Sequence, residues 1–232
     1  MSPLREHRSV LTRYKDDTPI DPFRRYYLIF EGKNTEKKYF QGIEGYRKEL
    51  DINSAIELVL LSKEGEIRDY SSPQKLLELI NQKKDQLKSS SSYDEEIDRF
   101  VIVFDRDSFD KEDKYFEFLK LAGEDNILSI TSPCFEIWLL LHYENAIEAY
   151  FEPNQVEILE NKKVSAAHSY TSRLCSEVSG VNPKSNVNFP NIKDRVSIAI
   201  EEEKKICQAN DKMFNVIGSN VGVLINEMKT KL

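Results

Sequence analysis

Residues 100–107 read FVIVFDRD, five consecutive apolar residues followed at once by two aspartates separated by one arginine. A short apolar run without alternation is typical of a strand that is buried on both faces, as in a parallel sheet. Residues 26–30 (YYLIF) and 56–61 (IELVLL) form two earlier runs of this kind, and residues 126–130 (NILSI) form a shorter one. We therefore expect these four segments to be strands of one sheet.

Segments with helical periodicity separate and follow these strands. They cover residues 35–49, a stretch that begins at Pro73, residues 111–122 and residues 135–143. A β-α order repeated four times predicts an α/β fold, in which right-handed crossovers place helices on both faces of a central parallel sheet.

The same patterns divide the chain into three parts. Residues 24–145 form the predicted α/β domain, and residues 1–23, which mix charges with three prolines and have no sustained period, are expected to form an N-terminal arm. Residues 146–232 carry weaker amphipathic stretches, which predict a mainly helical C-terminal extension packed on the domain. A length of 232 residues is compatible with one domain and such additions.

Composition and charge argue against several classes of protein. The chain has 33 basic and 40 acidic residues and a net charge of −7, so it does not hold nucleic acid by bulk positive charge. Its longest apolar run, residues 137–141, is far shorter than the ~20 residues of a membrane span. Residues 1–20 lack the apolar core of a secretory signal, and three cysteines without paired spacing argue against disulfides and zinc ribbons. We expect a cytoplasmic protein that does not act at membranes.

Three acidic residues directly follow two of the predicted strands. Glu31 follows the first strand, and Asp105 and Asp107 follow the third. Ligands of open parallel sheets bind at the carboxyl ends of the strands. If the two strands are neighbours and residues 105–107 stay extended, all three carboxylates face one point. Hard oxygen donors in that arrangement suit Mg²⁺ or Mn²⁺. The alternative is that each acid is an ordinary solvated residue at a strand end.

A phosphate-binding loop is the main competing motif for an α/β fold. Residues 32–35 (GKNT) share its GK[ST] ending only superficially, because position 27, where the first glycine is required, is Tyr27 inside a strand. No strand is followed by a GxGxxG fingerprint either. We therefore exclude a P-loop NTPase and a dinucleotide-dependent dehydrogenase.

Three segments together resemble one protein family. They are residues 31–40 (EGKNTEKKYF), residues 103–107 (VFDRD) and residues 132–142 (SPCFEIWLLLH). Their combination is similar to the RloB-like family, also described as the AbiLii-type abortive-infection family, and the likeness extends over most of the chain. The family usually has Ser-Asn-Pro before Cys-Phe-Glu, whereas this chain has Thr131-Ser132-Pro133, a departure that leaves the acids intact.

The resemblance implies a Toprim-like, and therefore Rossmann-like, sheet and a metal-dependent nuclease, which is a hydrolase of phosphodiester bonds. It assigns Glu31 to the Toprim glutamate, a candidate acid or base, and Asp105 and Asp107 to the DxD metal ligands. Mg²⁺ or Mn²⁺ would be the cofactor. The resemblance further implies a role in anti-phage defence by abortive infection, often beside an ATPase partner.

Further charged residues are weaker candidates. Glu136, in the apolar start of a helix, is either another metal ligand or a first-turn charge. Glu36 either caps its helix or supports the site. The candidates to neutralise substrate phosphates, unless they form a solvated helix face, are Lys33, Lys37 and Lys38. His142 lies about 120° around the helix from Glu136, so we expect it to be structural.

Two other functions stay open at this stage. One is a non-catalytic regulatory subunit of an ATPase-containing defence system, and the other is a metal-dependent enzyme that acts on small nucleotides. The acidic composition mildly favours the second, because polymer binding depends on neutralising phosphates. The residues do not distinguish DNA from RNA or tRNA, and they are compatible with a homo-oligomer.

Overall fold

The computed structural model describes residues 4–7, 23–32, 34–63, 72–89, 93–166 and 168–230. Within these residues the chain forms one six-stranded sheet in the order β1-β3-β2-β4-β5-β6. The strands are β1 (Leu4–His7), β2 (Arg24–Phe30), β3 (Ile56–Lys63), β4 (Arg99–Asp105), β5 (Ile127–Ser132) and β6 (Gly218–Ser219). The four central strands are parallel, and β1 and β6 are antiparallel to their neighbours at the two edges. The predicted α/β fold with a mostly parallel sheet is confirmed.

Nine α-helices lie within the described residues: α1 (Thr35–Gly45), α2 (Pro73–Lys88), α3 (Glu112–Gly123), α4 (Glu136–Leu140), α5 (Gln155–Glu160), α6 (Tyr170–Ser179), α7 (Phe189–Ile192), α8 (Val196–Glu203) and α9 (Val221–Lys229). Ser72 accepts a hydrogen bond from the backbone N–H of Lys75, which caps α2. Helix α1 is shorter than predicted, since residues 46–50 form turns. None of the described helices is long and apolar enough to cross a membrane.

The continuous apolar runs reflect burial on both faces of the sheet. In β2, Tyr26, Leu28 and Phe30 join the hydrophobic core on one face, while Tyr27 and Ile29 join the core on the other. Helices α1, α4, α8 and α9 contribute to the first core, and α2 and α3 to the second. Because successive side chains point to opposite faces, both must be apolar when each face is covered by helices.

The segments outside the central domain also contribute to the sheet. Leu4–His7, inside the predicted arm, forms the edge strand β1, and residues 1–3 and 8–22 of that arm lie outside the described residues. In the predicted helical extension, β6 pairs with β5, and side chains such as Val221 and Ile225 are fully buried in the first core. A two-residue strand leaves no periodic pattern, so the sequence did not reveal it.

Candidate active site

The parallel pairing of β2 and β4 brings Glu31 and Asp105 together. Phe30 is paired with Val103, so Glu31 and Asp105 emerge at the same edge of the sheet. The backbone N–H of Asp105 donates a hydrogen bond to Oε2 of Glu31 at 3.0 Å, and the N–H of Glu31 donates to the carbonyl of Val103 at 2.9 Å. The two strands are neighbours, as the sequence argument required.

Asp107 reaches the same edge by a different route from the one expected. Residues 105–107 do not stay extended, because a short 3₁₀ turn begins immediately after β4 at Arg106. The backbone N–H of Asp107 donates to the carbonyl of Pro133 at 3.1 Å, and its Oδ2 accepts a hydrogen bond from Nδ2 of Asn161 at 3.0 Å. The turn therefore anchors Asp107 to the end of β5 and to the C-terminal segment.

Two hydroxyl groups that the sequence analysis missed orient these acids. Thr131 Oγ1 donates to Oδ1 of Asp105 at 2.6 Å, and the hydroxyl of Ser108 donates to Oε1 of Glu31. Thr131 lies directly opposite Asp105 in the β4–β5 pairing. Only the register of the two strands identifies this pair, so no local motif could have pointed to Thr131.

Glu36 and Glu136 join the three predicted acids. Glu36, buried in the first turn of α1, accepts a hydrogen bond from the backbone N–H of Gly32 at 3.2 Å. A Cβ atom at position 32 would overlap this carboxylate, so a larger residue there would require the Glu36 side chain to move. Glu136 is buried at the first position of α4. We call the set Glu31, Glu36, Asp105, Asp107 and Glu136 the acidic edge.

The electrostatics of the acidic edge are unfavourable for its ionised side chains. Burial raises the pKa of Glu31 to about 7, and Glu36 and Asp107 add to the increase although hydrogen bonds from Ser108 and Asp105 oppose it. Burial also holds the pKa of Asp105 well above its usual range, with Glu36, Asp107, Glu31 and Glu136 contributing in the same direction. Negative charge is therefore concentrated in a partly buried site, where water screens it less than on an open surface.

Asp107 differs in having compensating neighbours. Burial raises its pKa and Glu136 adds to the increase, while the hydrogen bond from Asn161 and the positive charges of Arg106 and Lys184 lower it. Lys184 and Arg106 are cations beside the site that the sequence analysis did not select. The guanidinium of Arg106 also lies over the ring of Phe214 at 5.6 Å, so it packs as well as compensating charge.

The acidic edge has the donor chemistry of a site for a hard divalent cation. Carboxylate oxygens are the ligands that Mg²⁺ and Mn²⁺ prefer, and a cation would offset both the burial and the repulsion that raise the pKa values of Glu31 and Asp105. Among the described residues, however, no group of three or more His, Cys, Asp or Glu side chains is arranged so that it could hold a metal ion. The carboxylates are instead bonded to protein donors such as Ser108 and Thr131, so an ion would have to compete with these hydrogen bonds.

The remaining candidates are more dispersed. Lys38 Nζ donates to the carbonyl of Ser185 at 2.6 Å, Lys37 is half-buried on α1, and Lys33 lies outside the described residues. His142 is fully buried, with Nε2 3.1 Å from the hydroxyl of Tyr39, in agreement with a structural role.

Comparison with known proteins gives one match. A family model described as RloB-like protein matches residues 26–228, which include every strand from β3 to β6 and all five members of the acidic edge. No curated protein and no solved structure matches the chain.

Proposed function

Because the chain belongs to the RloB-like family, we propose that it is a Toprim-like, metal-dependent nuclease that cleaves phosphodiester bonds of DNA or RNA, including tRNA. The observation that carries the proposal is the acidic edge. Two adjacent parallel strands deliver Glu31 and Asp105 to one point, where Asp107, Glu36 and Glu136 surround them. Like charges gathered in a partly buried site are costly to stability, and such clusters occur mainly where chemistry requires them.

Asp105, Asp107 and Glu136 are the residues that would hold Mg²⁺ or Mn²⁺, with Glu31 as a further ligand or a proton carrier. A bound ion of this kind polarises a phosphate oxygen and lowers the pKa of a coordinated water. The chain's own contribution is orientation: Thr131 holds Oδ1 of Asp105, and the turn after β4 holds the backbone of Asp107.

Glu31 is suited to proton transfer. With a pKa of about 7, it exchanges a proton readily near neutral pH, which is the condition for efficient general acid–base catalysis. Its Oε1 accepts the hydrogen bond from Ser108 and its Oε2 the one from Asp105, so the carboxylate is fixed in position. Glu31 would take a proton from the attacking water or return one to the leaving oxygen.

The biological setting follows from the family alone. We propose a role in anti-phage defence by abortive infection, with an ATPase as a partner protein. The cations near the acidic edge, Lys184 and Arg106, would contact the phosphates of the substrate while the rest of the acidic chain repels them. Binding of a polymer should then weaken steeply with salt.

The test is a cleavage panel of labelled DNA, RNA and tRNA with Mg²⁺ or Mn²⁺, each repeated with EDTA. We expect cleavage of at least one polymer that EDTA abolishes and that Glu31→Gln and Asp105→Asn each reduce by roughly 10²–10⁴-fold. Asp98→Asn is the matched control. Asp98 is buried at the opposite end of β4, where it accepts a hydrogen bond from the N–H of Arg25, so its substitution tests for general damage to the fold.

Two other outcomes would contradict the proposal and support an alternative function. Metal-dependent hydrolysis of dinucleotides, with all three polymers intact, would show an enzyme of small nucleotides. If no substrate is cut, and an Asp105→Asn strain defends against phage as well as the wild type, the chain is a non-catalytic subunit.

A further inference from the structure

Asn161, in the C-terminal segment, donates a hydrogen bond to a carboxylate of the acidic edge. It directly follows α5 and has a left-handed backbone conformation, with φ of +40°. Its backbone N–H donates to the carbonyls of Glu157 and Ile158, which ends the helix. Its side chain lies 54 positions along the chain from the aspartate to which it donates.

The side-chain amide of Asn161 is held from both sides. Oδ1 accepts a hydrogen bond from the backbone N–H of Thr171, in the first turn of α6, at 3.1 Å. Nδ2 donates to Oδ2 of Asp107 at 3.0 Å. A backbone N–H can only donate, so it requires the amide oxygen on its side, and the amide nitrogen must then face Asp107. Helix α6 therefore sets the orientation of the donor.

Position 161 requires both a left-handed backbone and a neutral hydrogen-bond donor, and few residues provide both. Glycine accepts a left-handed backbone but offers no donor, and aspartate tolerates that backbone but would add a negative charge beside Asp107. Asparagine combines the backbone conformation with a neutral donor. Glu31, Glu36 and Asp105 receive hydrogen bonds from the sheet and its adjoining turns, whereas the Asp107 carboxylate receives one from a helix pair outside the sheet.

We propose that Asn161 is a positioning residue that fixes the Asp107 carboxylate for metal binding, an inference that rests on the proposed function. The hydrogen bond engages Oδ2 and leaves Oδ1 of Asp107 for the ion. Groups that orient a ligand in this way typically change metal affinity by 10–100-fold when removed. The helix pair α5–α6 is thereby part of the metal site rather than only a cover for the sheet.

The experiment is a double-substitution cycle with Asn161→Gly and Asp107→Asn in the full chain. Glycine keeps the left-handed backbone, so the substitution removes the amide without straining the turn. Mn²⁺ affinity is measured by calorimetry, and unfolding by urea without metal. The matched control is Asn145→Gly, because Asn145 also has a left-handed backbone, with φ of +56°, and its side chain is exposed.

We expect Asn161→Gly to weaken Mn²⁺ binding about tenfold in the wild-type background and less than twofold in the Asp107→Asn background. Asn145→Gly should leave the affinity unchanged. In urea without metal, the combined effect of the two substitutions on the unfolding constant should be about fivefold smaller than the product of their separate effects.

Equal losses of affinity in both backgrounds, or an equal loss from Asn145→Gly, would overturn the positioning role. Independent, multiplicative effects on unfolding would do the same. If wild-type protein binds no Mn²⁺ yet the unfolding cycle shows the coupling, Asn161 still holds Asp107 and the proposed metal-dependent function is what fails.

Discussion

Glu203 and Glu31 are both carboxylates whose pKa is raised by burial, but their surroundings differ. Glu203, at the end of α8, is completely buried, and its oxygens accept four hydrogen bonds. The donors are Ser219 Oγ at 2.6 Å, the N–H of Gly222 at 2.9 Å, the N–H of Val223 at 3.0 Å and Gln208 Nε2 at 3.1 Å. Burial raises the pKa of Glu203, and all four hydrogen bonds oppose that increase.

Glu31, by contrast, has negatively charged neighbours as well as hydrogen-bond donors. It accepts hydrogen bonds from Ser108 and Asp105, and the carboxylates of Glu36 and Asp107 raise its pKa further. The four hydrogen bonds to Glu203 offset part of the cost of burying its charge. The like charges around Glu31 add to that cost instead, so the comparison separates an acid held by hydrogen bonds within the fold from the acids that we propose serve a reaction.

His142, like Glu203, is a fully buried ionisable side chain, and its titration gives the largest effect on stability that we expect. Burial lowers its pKa to about 4 from an ordinary value of 6.5. The unfolded chain therefore takes up a proton below pH 6.5 while the folded protein stays neutral, and stability falls between pH 6.5 and pH 4 by roughly 3 kcal/mol.

Urea unfolding of metal-free protein between pH 4 and pH 7 measures this loss. Glu31, Asp105 and Asp107, whose pKa values are raised, have the opposite slope, so the quantity to compare is the difference between the wild type and His142→Gln. If the two proteins lose stability in parallel, the interior histidine is not the group responsible.

Glu203→Gln is expected to have the second largest effect on stability, and it directly tests the comparison between Glu203 and the acidic edge. Each Glu203 oxygen faces two donors, so either orientation of the glutamine places its NH₂ group against donors. We expect the free energy of unfolding to fall by about 2 kcal/mol. Asp105→Asn in metal-free protein should leave it unchanged or raise it, because a repulsive charge is removed. Chemical denaturation of both variants checks the signs, and a larger loss from Asp105→Asn would reverse the argument.

Thr131→Val is expected to have the smallest effect, and it tests whether Thr131 orients Asp105 within the acidic edge. It removes the donor to Asp105, and we expect Mn²⁺ affinity to weaken about tenfold, measured by calorimetry. Ser129→Ala is the control, since Ser129 lies on the same strand and its buried hydroxyl has no hydrogen-bond partner within the described residues. An equal loss of affinity from both variants would assign the effect to packing instead of to the hydrogen bond.

The sequence by itself determined the strands and the acids that end them. Apolar runs such as residues 100–104 predict doubly buried strands because both faces of this sheet are covered, and Glu31 and Asp105 follow those runs directly. Such signals are local: each depends on neighbouring residues along the chain. The resemblance to the RloB-like family also depends on local segments, and the family match over residues 26–228 confirms it.

Only the tertiary structure decided which polar residues serve those acids. Thr131 and Asn161 are 26 and 54 positions from the aspartates to which they donate, and the turn at Arg106 replaced the extended backbone expected there. Nothing in the sequence around a threonine or an asparagine specifies its partner, because a hydrogen bond depends on atoms that the folded chain brings within about 3 Å. Strand register and helix placement, which are properties of the whole fold, made that selection.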